Sequence, residues 1–152
     1  MKRNIEVKAL PKQTTLTIRT NTSVKSLPQV IGKIYEEIIE YLTELGEEPT
    51  GMPFVIYYNL DMTNLDVEIG FPVTKEYPDK DEIKTSKIPA EKVVSCVHKG
   101  PYKKMKPTYK AMHQWIKKEG YKTTGVAIEF YYNSPNEVST KDLLTEIQLP
   151  IQ

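Results

Sequence analysis

Glu129 is a candidate for chemistry because it interrupts a stretch that otherwise reads as a buried strand. Residues 125–135 read Gly-Val-Ala-Ile-Glu-Phe-Tyr-Tyr-Asn-Ser-Pro, a composition that predicts a strand bounded by turn residues. Alternation along a strand puts Ala127, Glu129 and Tyr131 on one face. Two interpretations stay open. Glu129 lies on a solvated face, as most glutamates do, or it lies out of water and requires a partner.

An aromatic pocket around such a carboxylate would suit a flat hydrophobic cation. Aromatic faces attract a cation through the ring quadrupole, with about 0.5–2 kcal/mol per contact, and the carboxylate neutralises its charge. The predicted ligand-binding residues are Glu129, Tyr102, Tyr57, Tyr131 and Trp115. Core packing is a strong alternative to ligand binding for Tyr35, Tyr109 and Trp115, because aromatic residues at helical spacing usually belong to the core.

Other chemistry has little support in the sequence. His98 and His113 lack cysteine or carboxylate partners at metal-ligand spacing, and neither a serine nucleophile motif nor a phosphate-binding glycine loop is present. The sequence therefore predicts no metal and no cofactor, and Cys96, the single cysteine, is interpreted as a core residue. An enzyme would use the same pocket, with Glu129 as general base and Tyr102 as hydrogen-bond donor to the substrate.

Composition favours a single globular domain. The 152 residues are 39% hydrophobic and 27% charged, which is ordinary for such a domain. We expect a cytoplasmic protein, because neither a membrane-spanning run nor a secretory leader is evident. The net charge of +1 gives the whole chain little attraction for nucleic acid.

Six lysines do cluster near the second helix, and we interpret them as a solvated face, with nucleic-acid binding as a weaker alternative. They are Lys87, Lys99, Lys103, Lys104, Lys106 and Lys110.

Hydrophobic spacing predicts the elements that position these residues. After strand-like segments within residues 5–20, a helix begins near Pro28 and ends at Gly46. Strands follow at residues 53–60 and 65–71, the second of them covered on one face, and residues 76–84 read as a surface linker. The same order then returns, with a strand at residues 93–98, a helix ending at Gly120 with Pro107 in its first turn, the Glu129 strand, and a last strand at residues 143–150.

The two halves of the chain align with each other. At an offset of 74, Tyr35 aligns with Tyr109 and the Tyr-Tyr-Asn of residues 57–59 aligns with that of residues 131–133; at an offset of 78, Leu10-Pro11 aligns with Ile88-Pro89. Glu129 aligns with Val55. We therefore predict one domain over residues 1–152 with internal repeats of about 5–76 and 83–152. Its fold is α+β, an antiparallel sheet with two helices, as a pseudo-two-fold tandem of strand–helix–strand–strand units.

The sequence resembles the GyrI-like family, also called the AraC-type effector-binding domain. The residues that carry the resemblance are the His-Lys-Gly-Pro-Tyr of residues 98–102, the helix ending at Trp115-Ile116, Glu129-Phe130-Tyr131 with the Asn-Ser-Pro of residues 133–135, and the segment 144–151. The resemblance implies a tandem SHS2 fold around a central groove between the units. It also implies that Glu129 lies at the bottom of an aromatic pocket bordered by Tyr102.

Three functions follow from this resemblance. The first is binding of lipophilic, cationic aromatic small molecules, as in multidrug sensors. The second is hydrolysis of cyclopropane-containing toxins with the same glutamate. The third is action on a protein partner such as DNA gyrase or a separate regulator. Both repeats together use residues 5–150, which leaves no helix-turn-helix, so we expect neither direct operator binding nor membrane binding.

Overall fold

The computed structural model describes residues 4–152. The chain has an α+β fold in which every strand pairing described is antiparallel, with two α-helices, as predicted. The elements are β1 Glu6–Ala9, β2 Thr14–Thr22, α1 Leu27–Glu44, β3 Phe54–Tyr57, β4 Leu65–Pro72, β5 Lys84–Lys87, β6 Lys92–Lys99, α2 Lys106–Lys118, β7 Ala127–Tyr131 and β8 Leu144–Pro150. Within the described residues, neither helix is long and apolar enough to cross a membrane.

Pro11–Pro89 forms one compact unit. Its strands lie in the order β3-β4-β2-β5, and α1 packs on β4 and β2. The buried stripe of α1 includes Ile34, Ile38 and Leu42, which recur at helical spacing and face the sheet. The ring of Tyr35 packs against Phe71 of β4, with 5.1 Å between centroids. Tyr35 is only partly buried, so it lies at the border of the core.

Residues 4–10 and Ala90–Gln152 form the other compact unit. Its strands lie in the order β1-β6-β8-β7, and α2 packs on β6. Met112 and Ile116 supply the buried stripe of α2, while Cys96 is 2% exposed in the core, as predicted. Pro107 lies in the first helical turn, where its missing N–H costs no intrahelical hydrogen bond.

The compact units differ from the sequence repeats at their first strand. At the offset of 78, β1 corresponds to β5. β1 pairs with β6, with Val7 opposite Val94, whereas β5 pairs with β2, with Ser86 opposite Thr15. Each repeat therefore contributes its first strand to the compact unit built from the other repeat.

Two expectations for the Pro11–Pro89 unit were wrong. Residues 76–84 are not simply a surface linker, because Tyr77 and Ile83 are buried and residues 84–87 form β5. β4 is covered on both faces rather than one, since Glu68 is 5% exposed between the buried Val67 and Ile69. Alternation with polar residues suggested a solvated face for Glu68, but side-chain hydroxyl groups satisfy its carboxylate, so the strand can bury it.

Candidate functional site

The Glu129 carboxylate lies on β7, where Glu129 pairs with Ile147 of β8, and the residue is 9% exposed. The Tyr131 hydroxyl donates a hydrogen bond to Glu129 Oε1 at 2.8 Å. The Tyr109 hydroxyl donates a hydrogen bond to Glu129 Oε2. Each carboxylate oxygen therefore has a phenol donor, and such bonds favour the ionised form of a carboxyl group against the cost of its burial.

Two elements place these phenols. Tyr131 stands two residues after Glu129 on β7 and thus on the same face of the sheet. Tyr109 comes from α2 next to Thr108, which is 2% exposed on the buried face of the helix, so its long side chain reaches down to the strand. The arrangement is a carboxylate fixed between a strand phenol and a helix phenol.

Tyr102 adds an aromatic wall to this group. It opens a 3-10 turn, Tyr102–Lys104, directly after Gly100-Pro101. Its ring meets Tyr131 edge-on, with 5.9 Å between centroids and an interplanar angle of 72°. Burial and the negative charge of Glu129 raise the pKa of Tyr102. The residue is nevertheless 42% exposed, so its ring borders both the carboxylate and solvent.

His98 fixes the turn that carries Tyr102. The ring is 8% exposed, with Nε2 at 3.2 Å from the carbonyl oxygen of Pro101 and Nδ1 at 2.9 Å from Thr108 Oγ1. A carbonyl only accepts, so in the neutral ring Nε2 carries the proton and Nδ1 accepts from the Thr108 hydroxyl. Gly100 supplies the φ of +128° that the turn requires. One imidazole therefore ties the Tyr102 turn to α2.

The structure brings together three of the predicted site residues, Glu129, Tyr102 and Tyr131. Trp115 stacks on Tyr121, with 6.3 Å between centroids and 15° between planes. Tyr57 belongs to the Pro11–Pro89 unit, at the end of β3 opposite Val67.

Tyr109 was missed, because aromatic spacing assigned it to the core. The repeat held the signal that could have found it. Its counterpart Tyr35 also directs its hydroxyl at the neighbouring strand, 3.5 Å from the carbonyl oxygen of Phe54. The residue after Phe54 is Val55, fully buried, where the other repeat has Glu129. A tyrosine at this helix position therefore reaches that strand in both repeats, and only in one does it meet a carboxylate there.

Two further buried carboxylates, Glu68 and Glu146, were not predicted, although they align with each other at the offset of 78. In the Pro11–Pro89 unit, Glu68 accepts hydrogen bonds from Thr17 Oγ1 at 2.7 Å and from the Tyr58 hydroxyl at 2.6 Å. Burial and then the Glu68 bond raise the pKa of Tyr58. Arg19 lies over the Tyr58 ring, 4.0 Å from its centroid. Thr17 and Tyr58 therefore satisfy the Glu68 carboxylate inside the fold.

The Glu146 cluster repeats this pattern with extra donors. Glu146 accepts from Ser95 at 2.7 Å and from the Tyr132 hydroxyl, the counterparts of Thr17 and Tyr58. Gln148 Nε2 at 2.8 Å and Lys8 Nζ at 3.1 Å complete the set. Burial alone would raise the pKa of Glu146, but the hydrogen bonds from Gln148, Tyr132, Ser95 and Lys8 outweigh it and lower this pKa to about 2.

Two clefts lie in the Pro11–Pro89 unit, and none of these carboxylates lines either of them. One, of about 590 Å³, is lined by residues from Thr43 to Thr50 beyond the end of α1. The other, of about 350 Å³, lies beside Tyr41 and Lys80. Neither contains a predicted site residue, and both have acidic linings without any aromatic cluster. They offer no alternative to the Glu129 group as an aromatic cation site.

Comparisons with solved structures show the fold. The C-terminal domain of EcmrR superposes with a TM-score of 0.80 at 23% identity, covering 100% of this chain and 99% of that one. In the EcmrR–DNA complex the TM-score is 0.85 at 24% identity, and this chain spans 57% of the EcmrR chain. A hydrolase from Listeria innocua gives a TM-score of 0.74 at 15% identity, with 99% and 93% covered. SAV2435 bound to tetraphenylphosphonium gives 0.67 at 11%, with 100% and 94% covered.

Comparison of the sequence with family models identifies the family. No curated protein matches the sequence, but the model of the GyrI-like small molecule binding domain matches residues 3–152 and so spans both compact units. This match covers the His98 turn, α2, Glu129 and its phenols. The chain belongs to the family of GyrI-like small molecule binding domains.

Proposed function

We propose that the chain binds lipophilic aromatic cations with Glu129 as the counter-charge. The observation that carries the proposal is the Glu129 carboxylate, 9% exposed and held by the Tyr109 and Tyr131 hydroxyls, beside the half-exposed ring of Tyr102. A carboxylate that is already oriented and largely desolvated loses little further hydration when a cation arrives. Its attraction for the cation is also stronger there than in water.

The aromatic rings supply the remaining affinity. Tyr102 and Tyr131 meet edge-on, so a flat cation that packs on either ring gains a cation–π contact. Tyrosine buries a large area with few rotatable bonds, which favours binding of several related drugs rather than one. Tyr57 and Trp115 remain predicted ligand contacts. SAV2435, a protein of the same fold, is bound to tetraphenylphosphonium, a ligand of the class proposed here.

The test is a binding panel of cationic, neutral and anionic aromatic dyes of similar size, titrated by fluorescence. Glu129→Gln keeps the shape of the side chain and removes its charge. We expect it to weaken cation binding by about tenfold to a hundredfold, the effect of one charge at a few ångströms in a partly buried site, and to leave neutral dyes nearly unchanged. Glu137→Gln removes an exposed charge from the same unit and should change nothing. Equal affinity of wild type and Glu129→Gln for every dye would contradict the proposal.

Hydrolysis of a cyclopropane-containing toxin is the second candidate, because the same site holds a carboxylate beside phenol donors and a hydrolase shares the fold. Glu129 would take a proton from the attacking water, and Tyr102 would donate to the substrate oxygen. Mass spectrometry of an electrophilic cyclopropane substrate separates the two functions. Turnover that falls about 10²–10⁴-fold in Glu129→Gln supports hydrolysis, and recovery of intact bound substrate after long incubation contradicts it.

The predicted protein partner, gyrase or a separate regulator, would be additional to ligand binding. A direct assay is gyrase supercoiling in the presence of the protein, with and without a bound cationic dye. Inhibition that the dye relieves would connect the two activities. Supercoiling that is unaffected at a large molar excess of the protein would contradict a gyrase partner.

A further inference from the structure

Four exposed lysines surround the Tyr102 turn and the beginning of α2. Lys103 and Lys104 belong to the same 3-10 turn as Tyr102, and Lys106 and Lys110 lie in the first half of α2. We call these four residues the rim lysines. All are exposed, and within the described residues none has an ion-pair partner within 4.0 Å, although nearby Lys99 approaches Asp142 at 3.9 Å. Residues 98–118 hold seven lysines and no acidic residue.

The fold does not require this charge. At the offset of 74, the rim lysines correspond to Gln29, Val30, Gly32 and Glu36 of the other repeat, and α1 forms there without them. The charge also opposes the helix dipole, because the N-terminal end of a helix favours anions and disfavours cations, and α2 has no acid in its first turn.

The rim lysines therefore provide a positive border to a negative site. The Tyr102 ring meets Tyr131, whose hydroxyl donates to Glu129, and the charge of Glu129 raises the pKa of Tyr102. Lys103 and Lys104 share one 3-10 turn with Tyr102 and are exposed, so a ligand packed on the exposed part of that ring lies within the field of their charges. A second positive charge there is repelled, and a negative charge is attracted.

We propose that the site selects zwitterionic aromatic ligands, in which an aromatic cation faces Glu129 and an anionic group such as a carboxylate faces the rim lysines. This inference rests on the proposed function and specifies its ligand class. Four charges at about 10 Å from a ligand carboxylate predict a preference of about fivefold for the zwitterion at 20 mM salt, decreasing to about twofold at 150 mM as screening increases.

The experiment uses two dyes that share one chromophore. Rhodamine B is zwitterionic at pH 7.5, and rhodamine B ethyl ester carries the same xanthylium cation without the carboxylate. Both are titrated by fluorescence anisotropy at 20 and 150 mM salt. The variants are Lys103→Gln/Lys104→Gln and a matched control, Lys117→Gln/Lys118→Gln, which removes the same charge about 20 Å away at the other end of α2.

We expect wild type and the Lys117/Lys118 control to prefer rhodamine B about fivefold at 20 mM salt. In Lys103→Gln/Lys104→Gln the preference should fall to about twofold, and the cationic ester should bind at least as tightly as to wild type, because two nearby positive charges are gone. Two results would overturn the inference: equal affinity of wild type for both dyes at 20 mM salt, or an equal loss of preference in both double variants. In either case, binding of the ester would still support the proposed function. Failure of both dyes to bind would overturn the two together.

Discussion

Replacing Glu146 by glutamine should destabilise the protein in a way that depends on pH. Against the effect of burial, four hydrogen bonds hold the folded-state pKa of Glu146 at about 2, compared with an ordinary value of 4.5, and its side chain is 7% exposed. A depressed carboxyl pKa stabilises the fold above the unfolded-state pKa, and this contribution is lost as pH falls through the folded-state pKa. A lowering of the pKa from 4.5 to about 2 corresponds to about 3 kcal/mol of unfolding free energy at pH 7.

Urea denaturation of wild type and Glu146→Gln between pH 7 and pH 3.5 measures this term. At pH 7 we expect the variant to be less stable by about 3 kcal/mol, or about 6–12 °C in melting temperature for a chain of this size. At pH 3.5 the unfolded chain already binds the proton, so the difference should shrink by about 1.4 kcal/mol. Ser95→Ala, which removes one donor at 2.7 Å, should reproduce part of the loss.

A difference between wild type and Glu146→Gln that stays constant from pH 7 to pH 3.5 would refute this reasoning. The cost would then come from packing or from amide geometry in the cluster, since neither depends on the protonation of Glu146. A variant as stable as wild type at pH 7 would show that desolvation of the charge cancels its four hydrogen bonds.

Three further predictions concern single positions. Gly70→Ala should destabilise by about 3 kcal/mol or more, measured by urea denaturation, because the new Cβ would lie 2.0 Å from the carbonyl oxygen of Leu16; an unchanged midpoint would show that β2 and β4 separate easily. Tyr109→Phe should cost about 1–3 kcal/mol, because Glu129 loses one of its donors, and unaltered unfolding would contradict that bond. His98→Leu should weaken binding of a cationic dye about threefold to tenfold, because the turn that carries Tyr102 loses its hydrogen bond to the imidazole. His98→Gln keeps a donor, so its affinity should lie between those of wild type and His98→Leu. Equal affinities of all three proteins would show that the turn does not depend on His98.

The fold could be predicted from the sequence because its signals are local and occur twice. Helical spacing ending in Gly46 and Gly120 predicted both helices, and each glycine has a positive φ that suits a helix C-terminus. The exchange of β1 and β5 could not be predicted, because a four-residue strand such as Lys84–Lys87 carries little hydrophobic pattern. Its partner is chosen by the tertiary arrangement rather than by local preference.

The site could be predicted in part for the same reason. Glu129 was recognisable because a charge within an apolar strand conflicts with the pattern around it. Tyr109 was not, because a tyrosine on the buried face of a helix looks the same whether its hydroxyl meets a carbonyl or a carboxylate. Glu68 shows the reverse error, since alternation along β4 made it look solvated while Thr17, one strand away, satisfies it.

The repeat explains why one carboxylate is a binding candidate and two are not. Glu68 and Glu146 occupy equivalent positions, and each accepts from a tyrosine and a small hydroxyl residue, so this cluster belongs to the architecture that both repeats share. Glu129 has a valine as its equivalent, and that valine is fully buried without any need for charge. One repeat buries a charge at this position and the other repeat folds without it. Folding alone therefore does not explain the free-energy cost of burying the Glu129 carboxylate. Binding of a cation there would offset that cost.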